Sequence, residues 1–222
     1  MTHHCADVSP PTASRPDSPN STLLPPTPDG YADPYAFRYP TAVLLGGSSL
    51  LGLASAVFFV GLLVLFHGPE VFTFYEVTVD GETTAFTMDL TAIAVPFLVA
   101  LVVTAVVHEL LHGIVFRHYG YDVEYGAVPA LGAFYVAVFG EFQSRDELLR
   151  VALAPFVVLT ATCLPLLAVP VPVVSITAAF ILTLNTAGSV GDLYGAWRLR
   201  GLPRGTLVYD VDIRRSYIYE PL

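Results

Sequence analysis

Four long apolar runs, separated by short polar stretches, set the pattern of this chain. Ala42 to Phe66 carries no charge, and its Gly and Ser residues permit close helix packing. Leu90 to Phe116 is apolar apart from one ionisable cluster, and Asp89 stands where a helix N-cap is favoured. Leu148 to Val169 follows Ser144-Arg145-Asp146-Glu147, a capping-box pattern. Val173 to Trp197 holds one charged residue, Asp192, and Pro170 and Pro172 set a tight turn before it. Each run is long enough to cross a hydrocarbon core of about 30 Å, so the pattern predicts an all-α membrane protein of four transmembrane helices.

The segments between the runs read differently. Val71 to Met88 alternates apolar and polar residues around Asp80-Gly81, which predicts a β-hairpin. Gly126 to Phe142 is apolar but broken by Gly126, Pro129, Gly132 and Gly140, so it predicts a re-entrant loop or hairpin packed against protein. Thr206 to Ile213 alternates as a single strand would. The first 40 residues hold 9 of the 18 prolines and no apolar signal-like core, which predicts a disordered tail. The chain therefore divides into a tail (1–40), a four-helix membrane domain (41–197) and a cytoplasmic C-terminal tail (198–222).

Composition supports membrane residence. Hydrophobic residues make up 54% of the chain and charged residues 13%, against roughly 25% charged in soluble domains. The net charge of −9 argues against nucleic acid as a partner. All ten basic residues are Arg, and with the acid excess this fits a high-salt cytoplasm. They gather before the first run, around the loop between the second and third, and after the fourth, so both termini are expected on the cytoplasmic side of the cell membrane. Cys5 and Cys163 are too few and too far apart in character to imply a disulfide framework.

Inside the second run stands His108-Glu109-Leu110-Leu111-His112. On a helix this spacing puts two imidazoles one turn apart on one face, as a tetrahedral zinc needs. Glu109 points to a neighbouring face, where it can take a proton from a water at the metal. An acid between two histidines at membrane depth is costly and marks a functional site.

The second and fourth runs point the same way in this topology. His108 lies 18 residues beyond Leu90, about 27 Å, and Asp192 lies 19 residues beyond Val173, about 28 Å. They reach similar depth, so His108, His112 and Asp192 supply the three ligands of a catalytic zinc site with one position open. Asn185, two turns before Asp192 on the same face, is placed to hold a peptide carbonyl or an oxyanion.

Other readings stand beside this one. The His–Glu cluster could be a neutral hydrogen-bonded brace between helices, Asp192 a partner of Arg198, and Asn185 a helix–helix hydrogen bond. Glu124 and Glu141 are alternative ligands. A non-catalytic zinc sensor or scaffold would keep the ligands and tolerate loss of Glu109. A small transporter would spread ionisable residues through both halves of the bilayer, whereas the first and third runs carry none.

Three motifs together resemble a known family. They are His108-Glu109-Leu110-Leu111-His112-Gly113, Leu153-Ala154-Pro155, and Asn185-x-x-Gly188-Ser189-x-Gly191-Asp192. They look like the putative zincin peptidase family of small membrane proteins, similar in layout to the site-2 protease class of intramembrane metalloproteases. The resemblance covers Leu90 to Tyr219, and Asp210 in the strand-like tail suits it. It implies zinc (Zn2+) held by His108, His112 and Asp192, with Glu109 as general base and a membrane-associated polypeptide as substrate. Site-2 proteases proper carry Asn-x-x-Pro and Leu-Asp-Gly, where this chain has Gly188 and Gly191-Asp192-Leu193.

Overall fold

The structure, a computed structural model, describes residues 24–128, 133–213 and 215–222. Three helices are long and apolar enough to cross a membrane: α1 (Thr41–His67), α2 (Thr91–His118), and α3 (Arg145–Cys163) with the 3-10 turns that continue it to Ala168. Their apolar character is outward as well as inward. On α1, Leu45, Leu53, Val57 and Leu65 are each about two-thirds exposed or more, at 67–73%. No helix of a soluble domain presents such a face to water, whereas lipid tails cover it without cost.

The fourth run is not one helix. It forms α4 (Pro172–Gly188) and α5 (Val190–Arg200), bent by 46° at Ser189. The pair counts as a fourth span only if the bent helices are taken together. Around this break the small residues Gly188 and Gly191 leave room for the change of direction. α4 is the centre of the bundle. Its buried Ile176, Ala179, Leu182 and Asn185 recur at helical spacing. α1 contributes Ser55, Phe59 and Leu63 at intervals of four, and α2 contributes Pro96, Ala100 and Thr104 likewise. Leu63, Ala100, Leu167 and Leu182 are essentially inaccessible and form the centre of the apolar core.

The all-α expectation is overturned. The fold is mixed α/β, 58% helical and 20% strand, with five helices and eight strands among the described residues. The strands are three to six residues long, so they vanish beside apolar runs of more than twenty. β2 (Tyr75–Asp80) and β3 (Thr83–Met88) form the hairpin expected between the first two helices. Its two-residue loop begins at Gly81, whose positive φ of 61° suits glycine there. β4 (Glu124–Val128) and β5 (Ala133–Ala137) pair as a second hairpin, and the stretch 129–132 between them lies outside the described residues.

A four-stranded antiparallel sheet closes one end of the molecule, in the order β1-β8-β7-β6. β6 is Phe142–Ser144, β7 is Leu207–Asp212 and β8 is Arg215–Tyr219. The C-terminal stretch is therefore two paired strands rather than the tail expected over 198–222. β1 (Tyr35–Phe37) comes from the segment expected to be disordered and adds to the edge of β8. Tyr31 bridges to Pro221, and the Leu222 N–H donates to the Gly30 carbonyl at 2.8 Å. Residues 1–23 of the expected tail lie outside the described residues.

Two capping expectations meet different outcomes. Asp89 Oδ1 accepts from the Thr91 N–H at 3.0 Å, at the start of α2. Ser144 makes no side-chain cap on α3. Instead Glu147 accepts from the Tyr121 hydroxyl at 2.5 Å, and that same hydroxyl accepts from the Ser144 N–H at 3.1 Å. A tyrosine from the preceding loop takes the place of the capping box.

Candidate metal centre

α2 sets two imidazoles on successive turns, with ring centroids 4.9 Å apart and planes at 76°. The bend between α4 and α5 brings Asp192 to them. Its Oδ2 lies 3.1 Å from His108 Nε2, and its Oδ1 lies 3.5 Å from His112 Nε2. One ligand atom from each of the three residues falls within 4.8 Å of the others. Ligand atoms about 2.0–2.1 Å from a tetrahedral zinc stand about 3.3 Å from one another. The observed separations bracket that edge, and two imidazole nitrogens with a carboxylate oxygen form a donor set that zinc accepts.

The other ring nitrogens are fixed from behind. His112 Nδ1 lies 2.9 Å from the Val151 carbonyl oxygen on α3. A carbonyl can only accept, so His112 Nδ1 carries the proton and Nε2 is left with its lone pair. His108 Nδ1 lies 3.1 Å from Asn185 Oδ1 on α4, which sets the same tautomer. Asn185 is wholly buried and stands behind His108, on the opposite side of the ring from Asp192.

Glu109 occupies a separate face of α2 and meets the β4–β5 hairpin, where the Val136 backbone N–H bonds to its carboxyl group. The hairpin sits against α2 because Gly113 has no side chain. A Cβ there would collide with the Tyr125 hydroxyl. The glycine following the second histidine is thus a contact surface for β4, and it lets β5 run beside the glutamate. Glu124 and Glu141, the alternative ligands, are not part of the three-residue cluster.

Residues 101–207 match a family model described as putative zincin peptidase. The resemblance read from the motifs is thereby shown over that stretch, which holds His108, Glu109, His112, Asn185 and Asp192. Zincin peptidases imply zinc, and the match supports a metallopeptidase. No curated protein and no solved structure matches the chain significantly. β1 and most of the C-terminal sheet lie outside the matched zincin region.

Two cavities flank α2. One, of about 210 Å³, runs from His112 and Asp192 to the inner face of the four-stranded sheet, lined there by Phe37, Val208, Asp210, Ser216 and Ile218. The other, of about 190 Å³, is lined by Glu109, Leu110, Tyr125 and Tyr135. β5 borders both, with Tyr135 lining one and Val136 the other, as strand alternation requires.

Sequence reasoning missed Tyr39, which stands in the first cavity just before α1. Burial and the neighbouring Asp192 and Asp210 carboxylates push its hydroxyl up. The alternation Tyr35, Phe37, Tyr39 was the signal available for it. The Val151 carbonyl left no sequence signal at all, being backbone.

Proposed function

We propose that this chain is a membrane-embedded zinc metallopeptidase, similar in layout to site-2 proteases, that hydrolyses peptide bonds of membrane-associated polypeptides. The observation that carries the reading is the convergence of His108 Nε2 and His112 Nε2 on the Asp192 carboxylate, with both Nδ1 atoms held from behind. His108, His112 and Asp192 would hold the zinc. Bound there, zinc supplies Lewis acidity that lowers the pKa of water and polarises the scissile carbonyl.

Glu109 is the general base. It takes a proton from the attacking water and returns it to the departing amine nitrogen. The Val136 N–H bonds to its carboxyl group and so orients it beside β5. Asn185 is a positioning residue in this reading: its amide oxygen faces His108 rather than the open side of the site. β5 pairs with β4 along one edge only, so an extended substrate would add along the other as a strand and receive main-chain hydrogen bonds in a dry site. α1, α2 and α3 would lie in the bilayer of the cell membrane, with both termini and the metal centre toward the cytoplasm.

A non-catalytic zinc-binding scaffold would need the ligands but not Glu109, which is why the test separates the two. Zinc per chain is measured for wild type, Asp192→Ala and Glu109→Gln, alongside cleavage of unstructured peptides. About one zinc per wild-type chain is expected, lost in Asp192→Ala and kept in Glu109→Gln. Cleavage should fall by about 10²–10⁴-fold in Glu109→Gln, the ordinary share of a general base. Full cleavage by Glu109→Gln would remove the enzyme reading, and absence of zinc from folded wild type would leave a hydrogen-bonded brace.

A further inference from the structure

The four-stranded sheet turns one face to the first cavity, and the register shows which residues share it. Val208 pairs with Ile218, and Asp210 pairs with Ser216 one step along. On β1, Phe37 pairs with Ser216. All five line the cavity. Strand alternation calls for apolar residues on such an inward face, as Val208, Ile218 and Phe37 are. Asp210 and Ser216 are the exceptions, a carboxylate and a hydroxyl that face each other across the register.

The hydrogen-bond partners of Asp210 are neutral. Oδ2 accepts from Gln143 Nε2 at 3.2 Å, and the facing Ser216 hydroxyl also bonds to the carboxylate; Oδ1 is buried. Among the described residues no Arg or His forms an ion pair with it. Arg198 also lines the cavity, but it is exposed and acts on Tyr35, beside Glu220 at the outer edge of the sheet. Apart from Asp192 and His112, Arg198 and the Tyr39 hydroxyl, which lies near both the Asp192 and Asp210 carboxylates, the lining is chiefly aliphatic and aromatic, including Phe116, Val136, Val151 and Leu202.

A largely apolar cavity that joins the candidate metal centre to a half-buried carboxylate without an ion pair matches one kind of substrate group. It fits a long aliphatic stem with a positive end. We propose that this cavity receives a lysine or arginine side chain of the polypeptide substrate, adjacent to the bond cleaved, with its cationic end meeting the Asp210 carboxylate. Lysine and arginine both carry such stems, and burial beside apolar walls strengthens the terminal charge pairing. The inference rests on the metallopeptidase reading and adds a substrate class to it.

The test uses the full, zinc-loaded chain and two readouts. In the first, matched peptides differ only in carrying lysine, arginine, norleucine or glutamate beside the scissile bond. Wild type should cleave the basic peptides at least about tenfold faster, by kcat/KM, than the norleucine peptide. The ratio should fall to about one in Asp210→Asn, and also in Ser216→Lys, which sets a tethered ammonium opposite Asp210. In the second readout, arginine amide binding is followed by the fluorescence of Trp197, the chain's one tryptophan. Binding should be saturable and weakened at least about tenfold in both variants.

Failure of the two ideas looks different. Arginine amide binding that depends on Asp210, with no peptide cleaved, would sustain the cation site and remove the peptidase. Cleavage without preference for a basic residue, or a preference that survives in both variants, would overturn the cation site and leave the peptidase standing.

Discussion

Asn185 and Asp192 take opposite nitrogens of the same imidazole, so the ring of His108 is held on both sides from α4–α5. A carboxamide that fixes the orientation of a ligating histidine is worth about 10–100-fold in metal affinity. Asn185→Ala should therefore weaken zinc binding by about that factor in a chelator competition, while Asn185→Asp, which still offers an acceptor, should recover part of it. Equal affinity in wild type and Asn185→Ala would reduce Asn185 to a packing residue. Helix arithmetic made the meeting of His108 with Asp192 legible, because rise per residue converts sequence distance to depth. The side of the imidazole that Asn185 would take was not legible, because it depends on a bend at Ser189 that no periodicity announces. Asp210 offers a second residue-scale expectation. Burial pushes its carboxyl up from the ordinary carboxylate value. A raised folded value means the stabilising contribution is complete below the unfolded value near 3.9 and is lost as pH rises through the folded one. Asp210→Asn does not titrate. It should melt with wild type in acid but a few degrees higher at pH 8, and a constant offset across that range would show that Asp210 does not titrate during unfolding.

At the scale of elements, β5 is the piece on which the site most depends beyond its ligands. It borders both cavities, and the Val136 N–H bonds to Glu109. Val136→Pro removes that N–H and any main-chain bond to a substrate strand, yet touches no ligand. Cleavage should fall by about tenfold or more with zinc content unchanged. A cleavage rate equal to wild type would remove strand addition from the mechanism. The hairpins were legible from turn residues and broken apolar runs, as with Gly81 in the loop between β2 and β3. The four-stranded sheet was not. Its strands come from residues 35–37, 142–144, 207–212 and 215–219, and a three-residue strand carries too few side chains for alternation to stand out. Tyr35–Phe37 was further obscured by Pro34 and Pro40, which flank it and are tolerated because β1 is an edge.

The molecule as a whole has two unlike ends. α1 leaves the sheet end, where β1 precedes it, and delivers the chain to β2–β3; α2 then returns from that hairpin toward the metal centre. Thr91 and His108 are 17 residues apart on one helix, about 26 Å, so in the proposed membrane-embedded state the hairpin and the site would lie at opposite levels of the bilayer. Charge divides the same way. The hairpin region carries Glu70, Glu76, Asp80, Glu82 and Asp89 and no Arg, while Arg145, Arg198, Arg200, Arg204 and Arg215 belong to the sheet end. Arginines close to membrane-spanning segments tend to be retained in the cytoplasm, so the proposed orientation has the sheet inside and the hairpin outside. A cysteine at Glu82 in a Cys5→Ser background should therefore react with a membrane-impermeant maleimide in intact cells, whereas a cysteine at Arg204 should react only after permeabilisation. The reverse labelling would invert the molecule, putting the metal centre and its Asp210 cavity outside the cell. Substrates would then have to reach the site from the extracytoplasmic face, because the hairpin end holds no ligand cluster among the described residues.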